Sequence, residues 1–472
     1  MAKCRCWIIG SGRIRAQRLL KRAAPRSRAL RGTGAASSVF IQTPSARTVA
    51  IALAIGAGSR HERISERGAA HLLEHLCFKG IAGAESSAAL AQAMEGIGAN
   101  SNAGTDREST IFWIHVPRAV ATEAARLIGA VALAPLLLPE HLKIEREIVI
   151  EEIRSYADDP SEQASTALDR ALFGDDALGR EIAGTIPEVR RLKHGPVHAF
   201  HSREYRPHAT ALAIAGDLSA AEANAIARVA LASAPRSRAQ RASAPSRRVV
   251  KRRGGGEDGI VAKVRDGEQA QFAVGLPALR REDPDAPALE MLATILGDGS
   301  ASRLFLEVRE ERGLVYDIGA SAIDYKDAGA LVISGGAEPA RVTEALQLVT
   351  DALRRLAREA PSAAEIERAR AYLAGRLERA ADDPRGLAEW HASQRVLRRV
   401  PQELGELLAE IERVRPADLL RVARTLVRGG SLRVGLSAPR STLAAVRRAV
   451  RRGDLDPSAV RPPSRRSARL SP

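Results

Sequence analysis

Aromatic residues are scarce in this 472-residue sequence: Phe, Trp and Tyr make up only 3 % of it, while hydrophobic residues reach 45 %. A folded core must therefore consist mainly of Ala, Leu, Val and Ile, and this apolar content excludes a disordered chain. The three cysteines, Cys4, Cys6 and Cys77, are too few for a disulfide framework and indicate a reducing compartment. The longest apolar run, Leu127–Leu138, contains Pro135 and is too short to span a membrane. The basic N-terminus lacks an apolar segment, which argues against a secretory signal peptide.

Acidic residues are absent or rare in three segments that carry the excess positive charge. Residues 1–60 hold twelve Lys or Arg and no acid, residues 235–253 hold eight and no acid, and residues 440–472 hold nine against two Asp. These three segments together carry a charge of +27. Because the net charge of the chain is +16, the remaining residues carry −11. A nucleic-acid-binding protein would place basic residues on a folded face among aromatics. We therefore interpret the segments as solvated tails and a linker, with a basic nucleic-acid binder as the remote alternative.

The sequence contains an internal duplication. Ala121-Thr122-Glu123-Ala124 recurs as Val342-Thr343-Glu344-Ala345, and Ala157-Asp158-Asp159-Pro160 recurs as Ala381-Asp382-Asp383-Pro384, at offsets of 221 and 224 residues. Because the motifs adjoin long amphipathic helical patterns in both halves, we predict two homologous α+β units. The predicted divisions are a basic disordered extension (1–36), a first domain (37–234), a basic flexible linker (235–258), a second domain (259–440) and a basic, partly disordered tail (441–472).

The strongest local motif is His71-Leu72-Leu73-Glu74-His75, within a helix predicted over Gly68–Gly80. Histidines at i and i+4 lie one turn apart on one helix face, where two imidazoles can bind one Zn²⁺. Glu74 borders that face and is placed to act as a general base, in the inverted order of an HExxH site. The alternative is an ordinary amphipathic helix whose polar residues lie at the surface.

A catalytic zinc needs a third protein ligand, and a predicted helix over Pro139–Tyr156 offers carboxylates. Glu145 and Glu152 are seven residues apart and share a face, whereas Glu151 points about 100° away. Without the upstream motif, this helix face would be interpreted as a solvated acidic surface. Four further histidines, followed by Tyr205-Arg206-Pro207, are interpreted as structural because only Glu204 lies near them; they are His194, His198, His201 and His208.

With these motifs the sequence resembles the pitrilysin/insulinase family of zinc metallopeptidases, over residues 38–440. It is similar in particular to the short-chain branch that includes mitochondrial processing peptidase and its bacterial relatives. The resemblance implies that Glu152 is the third zinc ligand and that Glu145 supports the site. It also implies that Arg309 and Tyr316 form a pair that reaches the substrate from the second domain, holding the scissile carbonyl. The fold expected is two homologous α/β-roll domains, each an antiparallel sheet flanked by helices, with one zinc per chain in the first domain.

The function implied by the resemblance is zinc-dependent endopeptidase activity on peptides or unfolded, presequence-like segments. The substrate is expected to add as a strand at the edge near Asn102–Thr105, which includes Asn102 and Ala103, in a strand predicted over Asn102–Val116. Phe78 is expected to line the pocket after the scissile bond, with plain core packing as the alternative, and Glu162 to contact a basic substrate residue. The partners expected are a second copy or a related subunit, in the bacterial cytoplasm, or in the mitochondrial matrix if the basic N-terminus is a presequence. A non-catalytic subunit of a processing-peptidase-like heterodimer is the alternative.

Overall fold

The computed structural model describes residues 27–31, 34–234, 255, 258–428 and 432–459. The chain forms two compact units. The first takes the described parts of Met1–Asp158, Arg180–Val249 and Glu367–Arg413, and the second those of Asp159–Gly179, Val250–Ile366 and Val414–Pro472. Among the described residues, no helix is long and apolar enough to cross a membrane.

The first unit contains a six-stranded sheet in the order β1-β2-β6-β3-β5-β4. Its strands are β1 (Ser27–Ala29), β2 (Ser37–Gln42), β3 (Thr48–Ile55), β4 (Asn100–Thr105), β5 (Thr110–Pro117) and β6 (Thr210–Gly216). The pair β2–β6 is parallel, and the other pairs are antiparallel. The first four helices in the chain are α1 (Ala69–Cys77), α2 (Ser87–Glu95), α3 (Ala121–Leu133) and α4 (Pro139–Asp158).

The later helices follow in chain order. They are α5 (Pro160–Phe173), α6 (Ile186–Arg191), α7 (His194–Glu204), α8 (Ala220–Ala230), α9 (Ala286–Gly297), α10 (Val342–Arg358), α11 (Ala363–Ala381), α12 (Pro384–Leu397), α13 (Leu404–Arg413), α14 (Pro416–Arg428) and α15 (Arg440–Arg451). The second unit has a five-stranded sheet in the order β7-β11-β8-β10-β9. Its strands are β7 (Ile260–Val264), β8 (Ala270–Pro277), β9 (Val315–Asp324), β10 (Gly329–Ala337) and β11 (Arg433–Ala438).

The two central strands of the first sheet, β3 and β6, are buried on both faces, so each is a continuous apolar run. Alternate residues of β3 divide by size. Ile51, Leu53 and Ile55 belong to the large core cluster that also contains the buried residues of α1, α3 and α4. The alanines at positions 50, 52 and 54 face the other way, into a smaller cluster with residues of α12. This face of the sheet thus packs with small side chains instead of aromatic ones, and the small side chains let a helix lie close to the sheet.

The two sheets have the same topology, which confirms the predicted fold of two homologous α+β units. Apart from the additional strand β1, the two sheets pair in the same way: β2–β6 corresponds to the parallel pair β7–β11, the other pairs are antiparallel, and β3, β5 and β4 correspond to β8, β10 and β9. Helices α3 and α4 correspond in chain position to α10 and α11. The duplicated tetrapeptides therefore mark equivalent helices.

The compact units differ from the predicted continuous domains in one respect: each contains a segment from the other half of the chain. Helix α5 belongs to the second unit, and most of α11 together with α12 and α13 belongs to the first. In the second sheet, Gly275 and Gly435 face α5, and a Cβ at Gly435 would overlap the backbone of Ala164 and Leu168. Helical periodicity shows which face of a helix is apolar, but it does not show which sheet that face covers.

Helices α5 and α12 begin in the same way, at the duplicated Asp-Pro. Asp159 accepts hydrogen bonds from the backbone N–H groups of Ser161 (2.7 Å) and Glu162 (3.4 Å), and Pro160 occupies the first helical position. Asp383 and Pro384 do the same for α12. A capping Asp followed by Pro is a strong helix start, so the chain breaks sharply between α4 and α5 and between α11 and α12.

Three predicted segments are corrected by the structure. The predicted strand Asn102–Val116 is a hairpin, β4 and β5, whose polar turn at residues 106–109 closes through Asp106 N–H and Ser109 O. The last part of the predicted extension contains β1, in which Ser27 contacts the Glu403 carboxylate. The predicted tail begins with α15. Residues 1–26, most of the predicted linker and residues 460–472 lie outside the described residues.

Candidate metal centre

Helix α1 begins where a glycine is required. Gly68, its N-cap residue, has φ +85°, and a Cβ there would lie 2.8 Å from the carbonyl oxygen of Ala183. The helix buries Leu72, Leu73 and Leu76, which leaves the His71 and His75 side chains together on another face. Their ring centroids are 4.8 Å apart. The helix predicted over residues 68–80 is thus confirmed, ending at Cys77.

A carboxylate from outside the helix caps this N-terminus. Glu62 accepts hydrogen bonds from the backbone N–H groups of Gly68 (3.1 Å) and Ala70 (2.8 Å). Burial raises the pKa of Glu62 to about 8, against the two N–H donors and Arg180, which lower it. The sequence analysis missed Glu62 because it lies before the predicted helix and has no fixed spacing as a cap.

Three potential metal ligands converge at α1 and α4. Glu152 Oε2 lies 3.6 Å from His71 Nε2 and 3.5 Å from His75 Nε2. Within the described ranges, these three residues form the one group of three or more His, Cys, Asp or Glu whose ligand atoms lie within 4.8 Å of one another. Glu151, the neighbouring carboxylate, is exposed and pairs instead with Arg154.

The donor set fits a zinc ion. Glu152 Oε2 is buried without a hydrogen-bond donor among the described groups, although two imidazole nitrogens face it. Burial and the neighbouring His75 lower the pKa of His71 to about 4, so its imidazole is neutral at pH 7, the form that binds metals. Two neutral imidazoles and one carboxylate are a common catalytic zinc set. A dication would satisfy the carboxylate oxygen that has no donor here.

Glu145 and Lys79 lie behind His75. Glu145 Oε2 lies 3.3 Å from His75 Nδ1, and Glu145 Oε1 lies 2.8 Å from Lys79 Nζ. An imidazole that donates from Nδ1 to a carboxylate presents the lone pair of Nε2 to a metal. Glu145 therefore lies in the supporting position expected of it, and Lys79 is an addition that the sequence analysis missed.

Glu74 points towards the edge strand of the sheet. It accepts a hydrogen bond from Thr105 Oγ1, at the end of β4. Burial raises the pKa of Glu74, and this effect is opposed by the hydrogen bonds from Thr105 and by the nearby His75. A carboxyl group with a raised pKa beside a candidate metal position suits a group that takes up and releases protons. The contact with Thr105 was not anticipated from the sequence.

The predicted substrate-binding residues of the first unit lie near this site in the fold. Phe78 directly follows α1, is half-buried, and packs against Phe112 with ring centroids 6.1 Å apart. Asn102 and Ala103 lie on the edge strand β4, where Asn102 is exposed and its Oδ1 accepts the Ala103 N–H at 2.9 Å. Their proposed contacts with substrate stay predictions.

The remaining predicted site residues belong to the second unit. Arg309 lies on a π-helix, Phe305–Glu311, and its guanidinium carbon is 4.5 Å from the Phe305 ring centroid and 5.6 Å from that of Tyr316. Tyr316 lies at the start of β9 and is 79 % exposed, so it is not a core residue. Glu162 is exposed on α5. The predicted pairing of Arg309 with Tyr316 is thus present, and its catalytic role stays a prediction.

The histidines near α7 make contacts typical of structural residues. His194 Nε2 lies 2.5 Å from the carbonyl oxygen of Leu137, and His201 Nε2 lies 3.4 Å from that of Ala132. His201 also stacks on Tyr205, with ring centroids 4.6 Å apart. Both rings are thereby used to join α7 to the segment around the end of α3.

Comparison with known proteins matches two family profiles to this chain. Residues 38–186 match the profile described as insulinase (peptidase family M16), and residues 192–373 match that of the peptidase M16 inactive domain. An uncharacterized zinc protease of Mycobacterium leprae is 34 % identical over 332 residues, covering 70 % of this chain and 74 % of the relative. Another, from Mycobacterium bovis, is 32 % identical over 413 residues, covering 86 % and 91 %.

Solved structures share the fold at low sequence identity. A protease from Helicobacter pylori has a TM-score of 0.79 at 20 % identity, covering 88 % of this chain and 100 % of that one. A Pseudomonas fluorescens structure described as a peptidase M16 inactive domain has a TM-score of 0.77 at 20 % identity, covering 88 % and 98 %. These likenesses concern the fold alone.

Proposed function

The chain belongs to the insulinase (M16) family of peptidases, and from that premise we propose that it is an active zinc-dependent endopeptidase. One observation carries the proposal: His71, His75 and Glu152 converge within 4.8 Å while Glu74 lies on the same short helix as the two histidines. A carboxylate with a raised pKa beside three potential zinc ligands is the arrangement that metal-assisted hydrolysis requires.

The chemistry is divided among residues of the first unit. Zinc, when held by His71, His75 and Glu152, would polarise a water and the carbonyl of the scissile peptide bond. Glu74 accepts the proton of the attacking water and passes it to the nitrogen of the leaving amine. Glu145 keeps the proton of His75 on Nδ1, so that Nε2 remains available to the metal.

The substrate is a peptide or an unfolded segment that adds as a strand along β4. Among the described strands, β4 has β5 on one side and no neighbour on the other, so its backbone can pair with an extended peptide. Asn102 and Ala103 lie on this edge strand, and Phe78 directly follows the C-terminal end of α1. Recognition through the backbone would tolerate varied side chains, with Glu162 favouring a basic residue.

Arg309 and Tyr316 complete the proposal from the second unit. Their side chains lie together, and Arg309 is held against Phe305. In the proposed mechanism they hold the scissile carbonyl and stabilise the negative charge that develops on its oxygen. We propose that the protein acts in the bacterial cytoplasm as a dimer, with itself or with a related subunit.

The second candidate is a non-catalytic partner subunit. It is favoured by the match of residues 192–373 to a profile named for an inactive domain. The first unit argues for activity, because its potential ligands and its candidate base are all present. The two candidates therefore differ in whether the isolated chain, or the chain with its partner, cleaves peptides through Glu74.

Substitution of single carboxylates tests the proposal. Glu74→Gln should retain zinc but lower cleavage of a peptide library by about a hundredfold or more, because the proton acceptor is lost while both imidazoles remain. Glu152→Gln should lose zinc and cleavage together. Metal analysis after dialysis and sequencing of the cleavage products measure both.

Glu151→Gln is the matched control, since Glu151 is exposed and pairs with Arg154. It should leave zinc content and cleavage unchanged. Loss of zinc in Glu151→Gln but not in Glu152→Gln would show that the wrong carboxylate was assigned. A zinc-loaded wild-type protein that cuts no peptide, alone or with a related subunit, would favour the non-catalytic candidate.

A further inference from the structure

Thr105 joins the candidate base to the edge of the sheet. It is the last residue of β4, and its Oγ1 donates a hydrogen bond to Glu74 Oε2. Both groups are only partly exposed, so the contact is not a loose surface pairing.

This contact makes the two oxygens of Glu74 unequal. Oε2 accepts the hydrogen bond of the Thr105 hydroxyl, and among the described residues no side chain donates a hydrogen bond to Oε1. A carboxylate that is held at one oxygen loses rotational freedom, and the other oxygen is left to meet the proton of a water. The hydroxyl thus determines which oxygen of the base is available.

The position of Thr105 also connects the base with the proposed substrate strand. The same β4 edge carries Asn102 and Ala103, three and two residues earlier. Strand β4 is paired with β5 from Asn100 to Thr105, so the hydroxyl of Thr105 is held beside Glu74 before a peptide pairs with the other edge. The edge strand therefore carries both the proposed peptide-pairing backbone and the group that contacts the base.

We propose that Thr105 is a positioning residue that orients Glu74, leaving Oε1 as the proton-accepting oxygen. This inference rests on the proposed function. Its alternative is a purely structural tie between β4 and α1. A positioning role predicts that removal of the hydroxyl lowers turnover while the stability of the protein is unchanged. A structural tie predicts no such separate loss of turnover.

The chain provides a matched control for this experiment. Thr110 is the cross-strand neighbour of Thr105 in the β4–β5 register, and its Oγ1 donates to the carbonyl oxygen of Ala57 at 3.0 Å. Thr105→Val and Thr110→Val are thus the same isosteric substitution at paired positions, each removing one hydroxyl. Thr105→Ser restores the hydroxyl without the methyl group.

In the zinc-loaded protein, Thr105→Val should lower kcat roughly tenfold with KM changed less than about twofold, at unchanged zinc content. Thr105→Ser should recover most of the loss, and Thr110→Val should keep the wild-type kcat. Turnover of Thr105→Val equal to that of Thr110→Val would overturn the proposal. A wild-type protein that binds zinc but cuts no peptide would instead overturn the proposed function.

A readout without activity tests the orientation itself. In crystals of the metal-free proteins, the Glu74 carboxylate should accept a hydrogen bond from the hydroxyl of residue 105 in the wild type and in Thr105→Ser. In Thr105→Val it should adopt another rotamer or several. A Glu74 carboxylate that keeps its wild-type position in Thr105→Val would show that the hydroxyl does not orient it.

Discussion

Lys79, Glu145 and His75 form a chain of contacts that ends at the candidate metal position. Only 3 % of the Glu145 side chain is exposed, so its negative charge depends on a partner within the protein. Leaving a buried charge without its partner costs several kcal/mol in typical proteins, on the order of 3 to 5. The Lys79 ammonium therefore offsets the cost of burying the Glu145 carboxylate, and that carboxylate holds the imidazole of His75. A residue outside the ligand set thus contributes to metal affinity.

Lys79→Met should weaken zinc binding. The substitution keeps an apolar stem of similar length but removes the ammonium group, which leaves Glu145 without its cation. We expect the zinc Kd to rise roughly tenfold or more, the range typical of residues that orient metal ligands, and to rise less in Lys79→Arg. Competition with a chromophoric chelator measures the Kd.

Lys143→Met is the control for this change of charge, because Lys143 is exposed on α4, two residues before Glu145. It should bind zinc like the wild type. If Lys79→Met and Lys143→Met have the same zinc Kd, the chain of contacts through Glu145 does not support the metal position.

At the scale of elements, α1 depends on the segment that precedes it. This helix has only nine residues, and His71 is the third of them, so fraying of the first turn would displace a potential ligand. The preceding segment is anchored by Arg203, which contacts both carboxylate oxygens of Glu66 at 2.8 Å, and by Glu62 at the helix start. Ion pairs and a cap thus position the first turn in place of a capping side chain at Gly68.

The cap at Glu62 predicts a pH-dependent stability. In the folded protein, burial raises the pKa of Glu62 from 4.5 to about 8. As pH rises, the unfolded chain loses this proton first, so ionisation of Glu62 lowers the free energy of unfolding between these two values. Glu62→Gln cannot ionise. The stability of the wild type relative to Glu62→Gln should therefore decrease from about pH 5 to about pH 8, as measured by urea unfolding of the metal-free proteins.

Ser219→Ala tests whether any helix cap would behave in this way. Ser219 caps α8 in the same unit by accepting the Glu222 N–H at 3.2 Å, and hydrogen bonds to Ser219 help lower the pKa of Glu222 to about 2. Because that carboxyl stays ionised over the whole range, the stability difference between wild type and Ser219→Ala should be independent of pH. A flat difference for Glu62→Gln as well would contradict the role of Glu62.

The whole molecule is a duplication, and the part of the chain that the structure describes contains one candidate metal site. The two sheets share a topology, but α9, which follows β8 as α1 follows β3, has no histidine. Arg376, at the duplicated offset of 224 residues, replaces Glu152. The second unit carries instead the π-helix with Arg309, and π-helical turns are frequent at functional sites. The repeated fold therefore holds different chemistry in its two halves.

One zinc ion per chain is expected after dialysis, as measured by metal analysis of the full chain. The duplicated positions in the second unit provide no equivalent ligands, and the ring nitrogens of His194 and His201 contact backbone carbonyls. His194→Ala with His198→Ala should leave the zinc content unchanged. A reproducible value of two, falling to one in that double variant, would reveal a second site near α7.

Much of the candidate site could be predicted because it depends on short-range periodicity. The spacing of His71 and His75, and the shared face of Glu145 and Glu152, follow from 3.6 residues per turn. Gly313, with φ +55°, lies beyond the end of the helix that carries Arg309, and Tyr316 begins the next strand, as predicted. Asn102–Val116 was wrong as a single strand, because its polar turn contains no Gly or Pro to signal the break.

The sequence by itself determined the two-unit α+β organisation, the helix with its two histidines and the shared face of Glu145 and Glu152, since each is encoded in local spacing or in repetition along the chain, whereas the choice of Glu152 as third ligand came from the family resemblance. Only the tertiary structure decided that α5 and α12 belong to opposite units, and that Glu62, Thr105 and Lys79 hold α1, Glu74 and Glu145. These contacts join side chains whose meeting depends on how elements pack. Periodicity shows which side of an element is apolar, but the partner of that side is set by the packing of the whole core.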